Sequence, residues 1–395
     1  MTWPLSQRIQ SFKPSATVSI SNLAAQMKAD GKDVINLAVG EPDFDTPAHI
    51  ITAATLAMQK GQTRYTQVGG TAALREVICA KYARENQLNY QPSQVLVSNG
   101  AKQSIYNLTV ALLEEGDEVI IPAPYWVSYS AMVTMAGATP VILQCPSEQQ
   151  FKMTPAQLDA AITPATKLLM LNSPSNPNGQ AYQVDEWLAL GEVINKHPQL
   201  IVMSDDIYEH IYWADSPLVG LLNACPNLAD RCVLVNGVSK AYAMTGWRIG
   251  YAVGPQAIIN AMTKVQVESS SCASSISQAA AEAALNGPQD LLQPMLLAYQ
   301  QRHDYVIAQI NTMNGLEVLP SQGTFYTFPN CQKAIVQLGY EDDVALVKAI
   351  LSQTGVALVP GSAFGMPGHF RLSYATDLTL LKTACERLTR FFNSH

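Results

Sequence analysis

A series of short apolar runs, separated by longer segments with helical periodicity, extends from about residue 50 to residue 290 and constrains the fold most strongly. The runs show no polar alternation, which indicates strands buried on both faces, as in a parallel sheet covered by helices. We therefore predict an α/β large domain with a mainly parallel sheet. The clearest predicted strands are Val95–Ser98, 118–122, 167–172, 200–204, 232–236 and 249–253.

The pattern changes after residue 290. A long helix containing QRHDYVIAQI is followed by strand-like LEVLP, GTFYTF, VALVP and HFRLSYA segments and by an amphipathic helix that ends near Phe392. A helix at about 22–30 and a strand before residue 45 are predicted to pack with this C-terminal part. Because chains of this length usually form more than one domain, we predict an arm and part of the small domain at 1–45, the large domain at 46–290, and a smaller α+β domain at 291–395.

Composition and charge exclude several classes of function. The formal net charge is −7 and no run of Lys or Arg is present, so no nucleic-acid or membrane partner is predicted. The N-terminal segment does not show the basic start and following apolar stretch of a secretory signal peptide, and no segment is long and apolar enough to span a bilayer. We therefore expect a cytoplasmic protein. The seven cysteines and six histidines are scattered without ligand spacing, which predicts neither a disulfide framework nor a metal site.

Four of the predicted strands run into unusual polar or glycine-rich segments. VLVS continues into NGAK, LLMLN into SPSNPNG, LIVMS into DDIYEH, and CVLVN into GVSKAYAMTGWRIG. The carboxyl ends of parallel strands meet at one edge of a sheet, which is where open α/β sheets bind ligands. Any one of these segments is explained as an ordinary loop, but four together favour a single binding pocket.

These segments resemble fold type I aminotransferases that depend on pyridoxal 5′-phosphate, specifically the bacterial aspartate aminotransferase subgroup, some members of which accept prephenate. The resemblance covers essentially the whole chain. Its strongest part is Ser239-Lys240-Ala241 followed by MTGWRIG at 244–250, and KPSAT, AVGEPDFDTP, PYWVSY, NSPSNPNG and RLSYA occur in the order of the family. The resemblance implies a mainly parallel seven-stranded sheet flanked by helices, a smaller α+β domain, and a homodimer with shared active sites.

The resemblance implies that Lys240 binds the cofactor through a Schiff base and moves a proton during the reaction. Asp205 would face the pyridine nitrogen, although taken alone it is better explained as a helix N-cap, and Asp206 is an alternative acid. The three-residue spacing to Tyr208 favours Asp205. Tyr208 and Asn176 would contact the 3′ oxygen of the cofactor, and Trp126 would stack on its ring.

The cofactor phosphate requires hydrogen-bond donors, which a helix N-terminus offers. The resemblance places the phosphate at the helix start formed by Gly100, Ala101 and Lys102, with Ser239 and Arg248 completing the site. Tyr65 matches a position that reaches the phosphate of the neighbouring subunit, although an isolated tyrosine is more often a packed aromatic.

The substrate would be an amino acid or a 2-oxo acid. Arg371 would bind its α-carboxylate, with Gly40 allowing the backbone to approach and with Asn176 and Trp126 beside it. Lys102 opposes the dipole at a helix start, which suggests a compensating anion such as the distal carboxylate of an acidic substrate. In the KPSAT segment, Lys13, Ser15 and Thr17 match the arm that covers the active site of the partner subunit. Lys13 occupies the position that the resemblance associates with prephenate use.

Other functions remain open at this point. A broad or aromatic aminotransferase and a β-lyase would use the same fold and cofactor lysine. A non-catalytic regulator is disfavoured because no additional module is present and the net charge is acidic. A nicotinamide dehydrogenase is disfavoured because the glycines at 246, 250 and 254 form no G-x-G-x-x-G motif. The sequence therefore favours transfer of the amino group of L-aspartate to 2-oxoglutarate, giving oxaloacetate and L-glutamate.

Overall fold

The computed structural model describes residues 3–10 and 16–394. Its helices are α1 Gln7–Gln10, α2 Ala16–Ala29, α3 Ala48–Gln59, α4 Ala72–Lys81, α5 Ala101–Leu112, α6 Ser128–Met135, α7 Pro155–Ala161, α8 Val184–Asn195, α9 Leu221–Ala224, α10 Gln256–Ser269, α11 Ser275–Asn286, α12 Leu292–Ile310, α13 Gln332–Gln337, α14 Asp343–Thr354 and α15 Leu378–Asn393. Its strands are β1 Ile35–Asn36, β2 Val95–Ser98, β3 Glu118–Ala123, β4 Thr139–Gln144, β5 Thr166–Asn172, β6 Ile201–Asp205, β7 Cys232–Gly237, β8 Gly250–Val253, β9 Tyr326–Thr327, β10 Val356–Ala357, β11 Val359–Pro360 and β12 Phe370–Ser373.

A seven-stranded sheet with the order β2-β8-β7-β6-β5-β3-β4 forms the centre of the molecule. Strands β3 to β7 pair in parallel, and β8 runs antiparallel to both of its neighbours. All six strands of the initial prediction for this part of the chain are present, and the mainly parallel seven-stranded sheet is confirmed. The additional strand β4 lies at the sheet edge, where its partial exposure obscures the apolar pattern of a buried strand.

The central strands are apolar on both faces because both faces are covered. Side chains of alternating positions enter two separate cores, as Leu169 and Val202 enter one while Leu168 and Met203 enter the other. The sheet is therefore rigid and dry, and its carboxyl edge provides a fixed support for polar side chains.

The C-terminal part contains a three-stranded antiparallel sheet of β11, β12 and β9. The N-terminal strand β1 pairs with β10, so the predicted packing of the N-terminal segment against the C-terminal part is confirmed. Helix α15 buries Leu381, Cys385 and Leu388 along one face, as the amphipathic pattern predicts.

One local prediction for these parts was wrong, because the LEVLP segment forms no strand and has only an isolated bridge between Glu317 and Asn330. The predicted helix at about 22–30 is present as α2, which begins earlier than predicted, at Ala16. The domain boundaries at 45 and 290 stay a prediction. No helix in the described ranges is long and apolar enough to cross a membrane.

Candidate active site

A cavity of about 440 Å³ opens at the carboxyl edge of the central sheet. Its walls come from the ends of β5, β6 and β7, the start of α5, the loop after β1, and strands β9 and β12. Most of the predicted site residues line it together: Gly40, Ala101, Lys102, Trp126, Asn176, Asp205, Tyr208, Ser239, Lys240, Arg248 and Arg371. Segments far apart in the sequence therefore meet in one cavity, as the parallel topology predicts.

Lys240 projects into this cavity from the loop after β7. Its Nζ donates a hydrogen bond to the carbonyl oxygen of Gly40 at 2.7 Å. Burial, reinforced by the positive charge of Arg371, lowers the pKa of the Lys240 amine to about 8. The position of Gly40 requires glycine, because a Cβ there would overlap Tyr326 Oη. The result is an amine with a larger neutral fraction near pH 7 than an ordinary lysine has.

Two adjacent acids at the end of β6, Asp205 and Asp206, line different cavities at the sheet edge. Asp205 lines the cavity that contains Lys240, whereas Asp206 lines a different cavity. Burial raises the pKa of Asp205 to about 6, against the opposing effect of a hydrogen bond that Tyr129 Oη donates to Asp205 Oδ2 at 2.6 Å. Of the two acids, Asp205 is thus the one available to a ligand beside Lys240.

Tyr208 occupies the same cavity wall as Asp205. Its hydroxyl lies 3.0 Å from that of Tyr326, which packs against the guanidinium of Arg371 at 4.4 Å from the ring centroid. Trp126 lies on another wall, and its ring meets Tyr129 edge to face at a centroid distance of 5.4 Å. Two hydroxyls and an indole are therefore held in place by other aromatic groups.

The start of α5 forms the cationic end of the cavity. Gly100 precedes the helix with φ of 84°, a left-handed conformation that favours glycine, and a Cβ there would overlap the guanidinium of Arg248. Arg248 donates to the carbonyl oxygens of Thr245 and Asn99 at 2.8 and 3.2 Å. Burial, and then the charge of Arg248, lowers the pKa of Lys102. Two cations thus meet the exposed amides of a helix N-terminus, an arrangement suited to an anion.

Arg371 is almost completely buried, with 3% of its surface exposed. Its guanidinium donates to Asn176 Oδ1 at 3.0 Å and to the carbonyl oxygen of Ala38 at 2.7 Å, while its Nε has no partner in the described structure. Burial lowers the pKa of Arg371, and no carboxylate of the described residues forms an ion pair with its guanidinium. A buried cation without an anionic partner is costly, which favours a carboxylate ligand.

One predicted residue, Tyr65, lies apart from this cavity. Tyr65 is 92% exposed and belongs to a surface depression that does not include Lys240. Lys13 and Ser15 lie outside the described residues, and the side chain of Thr17 does too. Their predicted contacts with a second subunit stay predictions.

Several residues of the cavity were not among those predicted from the sequence. Tyr129 and Tyr326 contact predicted residues directly, and Asn172 donates to the Asp205 carbonyl oxygen at 2.7 Å while accepting from the Asn176 amide. Asn172 ends β5 at the ligand edge of the sheet, so its position in the sequence carried a usable signal. Tyr129 ends the PYWVSY motif and Tyr326 lies in the strand-like GTFYTF segment, but neither position indicates a functional role on its own, because the apolar bodies of both rings fit the core pattern of α6 and β9.

The family model for aminotransferase class I and II matches residues 32–388. The chain belongs to the aminotransferase class I and II family. It is similar to an aspartate/prephenate aminotransferase of Nitrosomonas europaea, with 49% identity over 97% of this chain and 98% of that protein. The aspartate aminotransferase structure from Rhizobium meliloti is 44% identical, with a TM-score of 0.95 over 99% of both chains. An aspartate aminotransferase from Thermus thermophilus with maleate is 38% identical, with a TM-score of 0.93 over 98% of this chain and all of that chain.

These matches confirm the resemblance, the fold type and the enzyme class predicted from the sequence. Enzymes of this family depend on pyridoxal 5′-phosphate, and the cavity of this aminotransferase fits that group. The two cations at the start of α5 suit its phosphate, the buried carboxyl of Asp205 suits its ring nitrogen, and the buried amine of Lys240 suits its aldehyde.

Proposed function

We propose that this aminotransferase moves the amino group of L-aspartate to 2-oxoglutarate, giving oxaloacetate and L-glutamate, and that it also accepts prephenate. The observation that carries the proposal is the buried, uncompensated guanidinium of Arg371 in the same cavity as the amine of Lys240. An α-carboxylate held by Arg371 would place the substrate α-carbon near that amine.

Pyridoxal 5′-phosphate supplies an aldehyde that carries the amino group and a ring that accepts the electrons released at the substrate α-carbon. Lys240 would hold the cofactor, and its Nζ would then take the proton from the α-carbon, a role that its lowered pKa supports. Asp205 would accept a hydrogen bond from the protonated ring nitrogen. Tyr208 and Asn176 would orient the ring oxygen, and Trp126 would cover one ring face.

The phosphate would bind at the amides of Ala101 and Lys102, preceded by Gly100, with the hydroxyl of Ser239 and the guanidinium of Arg248. Ser239 is buried in the cavity wall, and Arg248 is fixed by two carbonyl oxygens. Backbone amides and a planar guanidinium give strong charge-assisted bonds to phosphate oxygens.

The preference for an acidic substrate rests on the second cation, Lys102. Once Arg371 binds the α-carboxylate and Arg248 the phosphate, Lys102 is free to meet a distal carboxylate. The Thermus thermophilus relative was solved with maleate, a four-carbon dicarboxylate, and several relatives carry both aspartate and prephenate in their names. These findings support a dicarboxylate substrate.

The test is product analysis of the enzyme loaded with cofactor and supplied with aspartate and 2-oxoglutarate. Oxaloacetate and glutamate in equal amounts are expected, whereas pyruvate and ammonia would contradict transamination and indicate a β-lyase. Single-turnover absorbance changes of the cofactor with a panel of amino acids and with prephenate as acceptor then rank the substrates. A preference for phenylalanine over aspartate would contradict the acidic specificity.

We further propose a cytoplasmic homodimer in which Tyr65 and the arm residues Lys13, Ser15 and Thr17 contact the active site of the second subunit. The almost complete exposure of the Tyr65 ring supports a partner at this surface, and the absence of any disulfide among the seven cysteines fits a reducing compartment. Sedimentation measurements give the mass. Mixing a Lys240→Ala chain with a Tyr65→Ala chain should restore part of the activity, because mixed dimers regain one complete site.

A further inference from the structure

A buried ion pair lies directly behind the segment that carries Asp205 and Tyr208. Lys81, the last residue of α4, is fully buried, and its ammonium group bonds to the carboxylate of Glu209 and to Asn86 Oδ1 at 2.8 Å. The Glu209 side chain is only 10% exposed. A lysine is seldom fully buried unless it is paired, so the ion pair with Glu209 accounts for the burial of Lys81.

The Glu209 carboxylate receives further hydrogen bonds from other elements. Asn86 Nδ2 donates to Oε2 at 3.0 Å, and Asn236 Nδ2 donates to Oε1 at 2.5 Å. Asn236 in turn accepts a bond from the Gly237 amide at 2.7 Å, which fixes the orientation of its side chain. We call Glu209, Lys81, Asn86 and Asn236 the Glu209 cluster.

The Glu209 cluster joins the two segments that carry the proposed catalytic groups. Glu209 follows Tyr208 directly, and Asn236 lies four residues before Lys240. The strands β6 and β7 pair as far as Asp205 and Val235, with the Asp206 amide bonding to the Val235 carbonyl oxygen at 2.8 Å. The hydrogen bond between Glu209 and Asn236 therefore links the segments of β6 and β7 beyond the last backbone pair of the two strands.

The charges of this region are balanced without an additional ion. Glu85, Glu209 and His210 place possible ligand atoms within 4.8 Å of one another. Burial opposes ionisation of Glu85, but His210, Lys81 and Arg84 lower its pKa to about 2. Because the ammonium of Lys81 already occupies the acidic group, a divalent cation would meet direct repulsion there.

Stability alone is a weak explanation for this arrangement. Taking two charges out of water costs about as much as their attraction returns, and well-packed apolar residues would often stabilise the fold as well or better. A buried pair that links defined segments instead fixes their relative position, because each hydrogen bond tolerates only a narrow geometry.

We propose that Glu209, held by Lys81 and Asn236, is a positioning residue that fixes Asp205 and Tyr208 relative to Lys240 from behind the active site. This inference rests on the proposed function, in which Asp205 and Lys240 act on opposite parts of the same cofactor. It assigns no contact with substrate to Glu209.

The test uses the double variant Lys81→Met/Glu209→Gln, because a single replacement would leave an unpaired buried charge and destabilise the fold. We expect the cofactor-loaded double variant to fold but to lose about 10-fold or more in kcat, as expected for displaced reacting groups. Its KM for aspartate should change far less, since Arg371 is untouched. The pH midpoint of the cofactor absorbance should shift by about half a unit or more, because the surroundings of Lys240 and Asp205 change.

The matched control is Lys152→Met/Glu186→Gln. Lys152 is also a buried lysine, with 8% of its side chain exposed, and its Nζ lies 2.6 Å from Glu186 Oε1. Neither residue lines the cavity that contains Lys240. This control should lower the melting temperature while leaving kcat and the absorbance midpoint at wild-type values.

The outcomes separate the two proposals. A wild-type enzyme without transamination would contradict the proposed function itself. An active wild type together with a folded Glu209-cluster variant that keeps its kcat and absorbance midpoint would overturn the positioning role alone. If the double variant does not fold, Asn236→Leu removes the link between the two segments together with the local bond to the Gly237 amide and leaves the Lys81–Glu209 pair in place, and the same two measurements on that variant decide for or against the role.

Discussion

The two sides of the sheet at the end of β6 differ in whether their charged side chains are paired. On the cavity side, the cations Arg371, Lys102 and Arg248 have no carboxylate partner among the described residues. On the opposite side, Lys81 is paired with Glu209, and Glu85 is compensated as well. The same sheet edge thus carries one region whose cations are available to bind anionic ligands and one region whose charged groups are paired within the protein. Uncompensated charge marks the binding site, whereas compensated buried charge marks its support.

The largest expected effect comes from removing the cavity amine. Lys240→Ala should lower turnover by more than about 10⁴-fold, because both the covalent attachment and the proton transfer are lost. The variant should still bind the cofactor, since Arg248 and the helix start remain. Steady-state kinetics and dialysis against free cofactor measure the two properties, and near-normal turnover would contradict the central role of this lysine.

The next effect separates the adjacent acids on the two sides. Asp205→Asn should reduce kcat by about 10²-fold or more, because the neutral amide no longer favours a protonated ring nitrogen. Asp206→Asn should change kcat by less than about 3-fold, because burial together with the charge of Glu209 raises the pKa of Asp206 to about 8 and keeps it largely neutral near pH 7. The reverse order of the two effects would show that the second acid faces the cofactor.

A smaller effect is expected at the cationic end of the cavity. Lys102→Ala should reduce kcat/KM for aspartate and glutamate by about 1 to 3 kcal/mol more than for alanine or phenylalanine, the value of one charge-assisted bond. Cofactor affinity should change little, which absorbance titration of the apoenzyme measures. An equal loss for acidic and neutral substrates would assign this lysine to the cofactor or the fold.

The residues of the cavity could be predicted from the sequence far better than those of the Glu209 cluster. Lys240 and Asp205 follow apolar runs, Arg371 lies within the strand-like HFRLSYA segment, and the resemblance in motif order predicts all three as site residues. Lys81 carried no such signal, because a lysine in the last turn of an amphipathic helix is normally a solvated cation that suits the helix dipole. Its burial follows from its pairing with Glu209, a contact across 128 positions of the sequence that periodicity does not encode. The edge strand β4 escaped prediction for the related reason that partial exposure removes the apolar pattern.

The smallest effect concerns Tyr129. Its hydroxyl donates a hydrogen bond to the carboxyl of Asp205, so Asp205 is a cavity-side acid that has a partner within the protein. Asp205 has a pKa raised to about 6 from an ordinary value of 3.8, so its contribution to apoprotein stability is present below pH 3.8 and is lost as the pH rises through 6. The Tyr129 hydroxyl limits this loss, because its bond to the ionised carboxylate is stronger than its bond to the neutral acid.

Tyr129→Phe should therefore destabilise the apoprotein by about 1 kcal/mol at pH 4.5, where Asp205 is protonated, and by about 2 kcal/mol at pH 8, where it is ionised. Melting temperatures of wild type and variant at the two pH values measure the difference. Tyr182→Phe is the matched control, because this buried hydroxyl accepts a bond from the Met153 amide at 2.8 Å and contacts no carboxylate through a hydrogen bond in the described structure. Its cost should be the same at both pH values. A pH-independent cost for Tyr129→Phe would mean that Asp205 does not titrate in this range, and that the cavity holds its acid in one protonation state before any ligand binds.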